Sequence, residues 1–79
     1  MNFQFQTLTG KKYPTHKTFM EAWNDMYEYV NERLVAGTMS YQELETGLWI
    51  ETTKKNFQLP ILFYDARDRA IAEGWTQPK

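Results

Sequence analysis

The 79 residues make one small domain, 1–79, whose nine basic and ten acidic side chains leave a formal charge of −1. That balance argues against an electrostatic nucleic-acid binder and against a basic membrane-surface protein. There is no cysteine, so disulfide and thiolate chemistry are excluded and a reducing, cytoplasmic setting is expected.

A chain of this length buries only about 60–65% of its unfolded surface. Any site is therefore expected on a surface or in a shallow groove. Aromatic residues are 16% of the chain, a large apolar area for a small core. Core filling is their ordinary use, and self-association into a homodimer is the expected use of any excess. The opening segment, Met1 to Gln6, has neither the basic nor the apolar stretch of a secretory leader. The longest apolar run, Pro60 to Tyr64, is far too short to span a bilayer.

From Asn2 to Leu8 the sequence alternates, with Phe3 and Phe5 on one side and Gln4 and Gln6 on the other, the period of a half-buried strand. Thr9-Gly10-Lys11-Lys12 is a turn candidate. Lys11 to Tyr13 reads either as a short returning strand or as loop, ended by Pro14.

A long helix follows. Thr18 and Glu21 have the spacing of a capping box, and Gly37 suits the left-handed position that closes a helix. At about 100° per residue, Phe19, Trp23, Met26, Tyr27, Val30 and Leu34 form an apolar seam. Glu21, Asp25, Glu28 and Glu32 fall opposite it, within an arc of roughly 60°.

Ser40 then caps a short helix expected at 41–46, broken by Gly47. Leu48 to Thr52 reads as a strand, with Leu48 and Ile50 inward and Trp49 and Glu51 outward. Residues 53–56 make a hairpin loop, and Phe57 to Leu59 a returning strand. Pro60 is expected as the first residue of a last helix. Its inward face is Leu62, Phe63, Ala66 and Ala70, Asp65 pairs with Arg69 at i, i+4, and Gly74 closes it, with Trp75 folding back and 76–79 as a frayed tail.

The expected fold class is therefore α+β. A small antiparallel sheet of two to four short strands packs against one long and one shorter helix, in the order β(β)ααβ(β)α.

No catalytic constellation can be assembled. His16 is the sole histidine, so a metal site lacks its ligands, and His16 reads as a surface or capping neighbour. Ser40 is explained as a cap, and Gly10-Lys11-Lys12 lacks the upstream glycine of a phosphate loop. No carboxylate pair sits in an apolar context that would separate their pKa values for acid–base work. No cofactor, no metal and no enzymatic activity are expected.

What stands out is the acidic stripe. Glu21, Asp25, Glu28 and Glu32 are spaced 4, 3 and 4 with no cation between them, and each like-charge neighbour costs a few tenths of a kcal/mol. The ordinary reading is a solvated face. The functional one is a docking face for another protein with a basic surface, with Trp49 as an apolar addition. The expected function is thus a small non-enzymatic protein-interaction module, accessory or inhibitor-like. The alternative is a nucleic-acid-binding domain using Lys54 and Lys55 at the hairpin tip.

Overall fold

Alternating Phe3-Gln4-Phe5-Gln6 does make a strand, β1 (Gln4–Thr7), and the capped seam does make a helix, α1 (Phe19–Ala36). A second strand, β2 (Leu48–Glu51), and a second helix, α2 (Phe63–Ala72), follow. The structure, a computed structural model, describes residues 3–7, 10–37, 48–51 and 61–78, with 48–51 described by their backbone.

This arrangement corrects the expected fold. The described order is β1, α1, β2, α2, not β(β)ααβ(β)α. In place of a sheet layer covered by helices, the described residues form two helices and a narrow ribbon. β1 and β2 run antiparallel over four residues, with Phe5 in register with Ile50 and Gln6 with Trp49. Of the two readings for Lys11 to Tyr13 the loop holds: the segment forms no strand, with isolated bridges joining Gln6 to Lys12 and, further along, Phe3 to His16. The reason is local. Three steps along β1 separate Phe3 from Gln6, but four separate Lys12 from His16. The returning segment thus carries one extra residue, and Pro14 within it has no N–H to continue a ladder. The short helix at 41–46 with its Ser40 cap, the hairpin loop at 53–56, the returning strand at 57–59 and Pro60 all lie outside the described residues.

The ribbon is held by its turn and its edges. Gly10, at φ +92°, donates its N–H to the Thr7 carbonyl at 3.0 Å, and Thr7 in turn donates to the Lys11 carbonyl at 3.0 Å. Further along, Tyr13 donates to the Phe5 carbonyl at 3.0 Å, and Phe3 and His16 exchange both backbone bonds at 2.7 Å. β1 therefore has a neighbour on either side. The alternation predicted Gln6 outward, yet Gln6 and Thr7 are buried with Phe3 and Phe5. The Gln6 side-chain amide donates to the Gln4 side-chain oxygen at 3.1 Å, and Gln4 donates to the Tyr13 carbonyl at 2.7 Å. Such bonds offset the cost of burying an amide.

α1 is signalled at both ends. The Thr18 hydroxyl accepts the Glu21 backbone N–H at 3.3 Å and donates to the Glu21 carboxylate at 2.7 Å. The box is thus closed between side chains, and the Glu21 carboxylate binds the Thr18 hydroxyl where a standard box binds the cap's N–H. At the other end Gly37, at φ +70°, donates back to Leu34 at 3.1 Å. A Cβ at Gly37 would meet no atom within 4 Å, so only the backbone conformation resists a side chain there. Gly37→Ala should cost about 1 kcal/mol, the left-handed penalty less the entropy that alanine removes from the unfolded chain. Gly37→Asn should cost less. Urea titration of the two variants compares them directly.

α2 begins at Phe63, three residues beyond the position expected from Pro60. Leu62 is its N-cap, and at 39% exposure it is not part of the inward face. Ile61 packs on the core instead. The C-terminus follows the expected glycine closure. Gly74, at φ +105°, donates to the Ile71 carbonyl at 3.0 Å, and Trp75 donates to Ala70 at 2.9 Å. These two bonds define a Schellman motif. They turn Trp75 back onto Trp23, with ring centroids 5.2 Å apart and edge to face.

The two helices run antiparallel. Phe63 at the start of α2 stacks on Trp23, while Arg69 near its end lies over Phe19, 4.2 Å from the ring centroid. Ala22, Ala66 and Ala70 are fully buried and let the backbones approach. Trp23, Met26 and Val30 from α1 join Phe5 from β1 in one continuous core.

Candidate functional site

The four acids of α1 are not equivalent once folded. His16 enters from the ribbon, held there by its backbone pairing with Phe3. Its Nε2 lies 2.8 Å from Asp25 Oδ2 and its Nδ1 lies 3.5 Å from Glu21 Oε2. The sequence left these acids without a cation and placed His16 at the surface or beside a cap. His16 does lie beside the cap, near Glu21, and tertiary folding also brings its ring, nine residues from Asp25, onto the acidic face. The contact with Asp25 is a hydrogen bond, whereas Glu21 is a near neighbour of the ring. His16 and Asp25 are each about three-quarters buried at their side chains, so the pair joins ribbon to helix.

Glu28 and Glu32, further along the same face, are exposed. They have no ion-pair or hydrogen-bond partner among the described residues. By helix geometry, Val35 lies beside Glu28 and Asn31 lies between Val35 and the seam. Val35 is 82% exposed. Leu34, assigned to the seam, is half exposed. At about 1.5 Å per residue, ten-residue α2 is much shorter than eighteen-residue α1 and leaves the last turns of α1 uncovered.

Between this uncovered part of α1 and the start of α2 lies an open groove of about 140 Å³. Tyr27, Val30 and Leu34 form the α1 wall, and Phe63 and Tyr64 the α2 wall. Polar groups enter from Asn31, Gln77 and Arg67. The Arg67 guanidinium lies 5.2 Å from the centroid of the Tyr64 ring. Its Nε is buried and has no hydrogen-bond partner among the described residues. No acidic side chain lines the groove. Sequence reasoning missed this feature, because a groove between two helices leaves no pattern along either one. Arg69 on the same helix pairs with Glu73 at 3.0 Å, where Asp65 was expected.

Trp49 lies in β2 opposite Gln6 by register. Its side chain lies outside the described residues, as do Lys54 and Lys55. Among the described residues no group of three or more His, Cys, Asp or Glu is placed to hold a metal ion. No described helix is long and apolar enough to cross a membrane. No protein-family model, curated protein or solved structure matches the chain.

Proposed function

We propose that this chain is a small, cytoplasmic, non-enzymatic interaction module that docks on a larger protein through the acidic face of α1. The observation that carries the reading is the division of that face. Asp25 and Glu21 are engaged by His16, while Glu28 and Glu32 stand exposed beside Val35. Like charges retained four residues apart weaken a helix slightly. A basic partner would remove that repulsion on binding, and exposed carboxylates would steer its approach. The exposed apolar residues on the adjoining flank supply contact area that charge alone lacks.

The test is charge reversal where no fold contact is lost. A Glu28→Lys, Glu32→Lys double variant should keep its circular dichroism spectrum and melting temperature. Capture of partner proteins from a lysate should fall at least tenfold, and the wild-type capture should weaken as salt is raised. An unchanged set of captured proteins with an intact fold removes the acidic face as the docking surface.

A further inference from the structure

Among the described residues three rings meet Trp23, those of Tyr27, Phe63 and Trp75. Tyr27 and Phe63 belong to α1 and α2 and cannot leave without unwinding a helix. Trp75 lies beyond α2 and can. The tethers of its segment are few. Trp75 donates its N–H to the Ala70 carbonyl at 2.9 Å and sets its half-buried ring against Trp23 at 5.2 Å and Tyr27 at 4.9 Å. Thr76, Gln77 and Pro78 are exposed. Among the described residues no backbone hydrogen bond ties these three to the rest of the chain. A segment held by one ring and one cap bond opens at a lower free energy than the core beneath it. Gly74, at φ +105°, stands at its start, and glycine moves between positive and negative φ without steric cost.

We infer that residues 74–78 form a strap that opens as a unit about Gly74 while α1 and α2 stay folded, and that its position sets the extent of the groove. Tyr27 packs against Trp75 and also lines the groove. Gln77, two residues past Trp75, lines it too. Closed, the strap caps the space between the helices at Trp23 and supplies part of the groove wall. Open, it withdraws Gln77 and extends the apolar floor from Tyr27 to Trp23. The closed form also carries a cost that opening relieves. The Trp23 indole N–H is buried with no hydrogen-bond partner among the described residues. Water reaching Trp23 offers that donor an acceptor and offsets part of the lost ring contact. The strap does not rest on the acidic-face reading.

The test is hydrogen exchange under native conditions in the full chain, followed by nuclear magnetic resonance. The sites read are the Trp23 indole N–H, the Trp75 amide, and the Met26 and Val30 amides in the core of α1. Corrected for intrinsic rates, the first two should exchange at least tenfold faster than the last two. Their rates should be nearly flat in low urea, because opening the strap exposes little surface, whereas the core amides should respond steeply. Trp75→Ala removes the ring that holds the strap. In that variant the Trp23 indole should lose its protection, and the Gln77 side-chain amide signal should move to its free-peptide position. Met26 and Val30 should remain protected, and circular dichroism should still show both helices. The inference is overturned if Trp23 in the wild type exchanges with the rate and urea slope of Met26 and Val30. It is equally overturned if Trp23 in Trp75→Ala stays as protected as those amides, or if the Gln77 signal stays in place there. Should the variant fail to fold, the wild-type rates and slopes decide alone.

Discussion

Trp23→Ala should remove about 3–5 kcal/mol of stability, the range for deleting a large buried aromatic side chain. Trp23 is fully buried, and its ring meets Tyr27 at 5.9 Å, Phe63 at 5.4 Å and Trp75 at 5.2 Å. No other described side chain joins α1, α2 and the segment after α2 through ring contacts. A chain of 79 residues has a total stability of roughly 4–12 kcal/mol. The substitution therefore takes a large share of the whole, and much of the population should be unfolded at moderate urea. Urea titration followed by far-ultraviolet circular dichroism measures it. A midpoint within experimental error of the wild type would mean that Trp23 is not the centre of the packing.

A second variant isolates a competing effect at the same position. The buried Trp23 indole N–H has no hydrogen-bond partner among the described residues, and an unmet donor costs about 1–3 kcal/mol. Trp23→Phe deletes that donor and keeps a six-membered ring against Phe63. Lost contact area and relieved donor oppose each other, so the net change should lie within about 1–2 kcal/mol. The contrast between alanine and phenylalanine separates packing from polarity.

How much of this was legible in the sequence depended on how local each signal was. Thr18, Glu21 and Gly37 act within one turn of their own backbone, and α1 lies where they place it. Gly74 and Trp75 close α2 by bonds spanning three and five residues, and these too were readable. The ribbon was not, because alternation in β1 records one buried face and says nothing of neighbours. Gln6 looked solvent-facing until flanking segments closed over it. The spacing of the acidic stripe was legible on the helix, but the histidine that meets two of its four acids was not. The histidine that reaches it arrives through the pairing of Phe3 with His16, which no helical wheel contains. The groove at Arg67 had no signal at all. It exists because two helices of unequal length cross, a relation between segments about thirty residues apart.

The ribbon gives the other large expected effect. Phe5 is fully buried, with its ring 4.9 Å from Tyr13 and 5.5 Å from Tyr29. Tyr13 and Tyr29 in turn meet at 6.5 Å. One ring thus ties the strand, the segment returning from its turn, and the side of α1 away from Trp23. Phe5→Ala should cost about 3–5 kcal/mol, and the ribbon has few alternative contacts with which to collapse into the space. The form of the transition carries as much information as its midpoint. Phe5 and Trp23 belong to one cluster of buried residues, so tryptophan fluorescence and backbone dichroism should change together in urea, in the variant as in the wild type. An earlier, separate change in fluorescence, to which Trp49 in β2 contributes, with the helical dichroism still intact would show that the ribbon is a subdomain laid on a self-sufficient helix pair. Coincident curves shifted to lower urea would show the converse: α1 is held in place by the aromatic side chains packed beneath it.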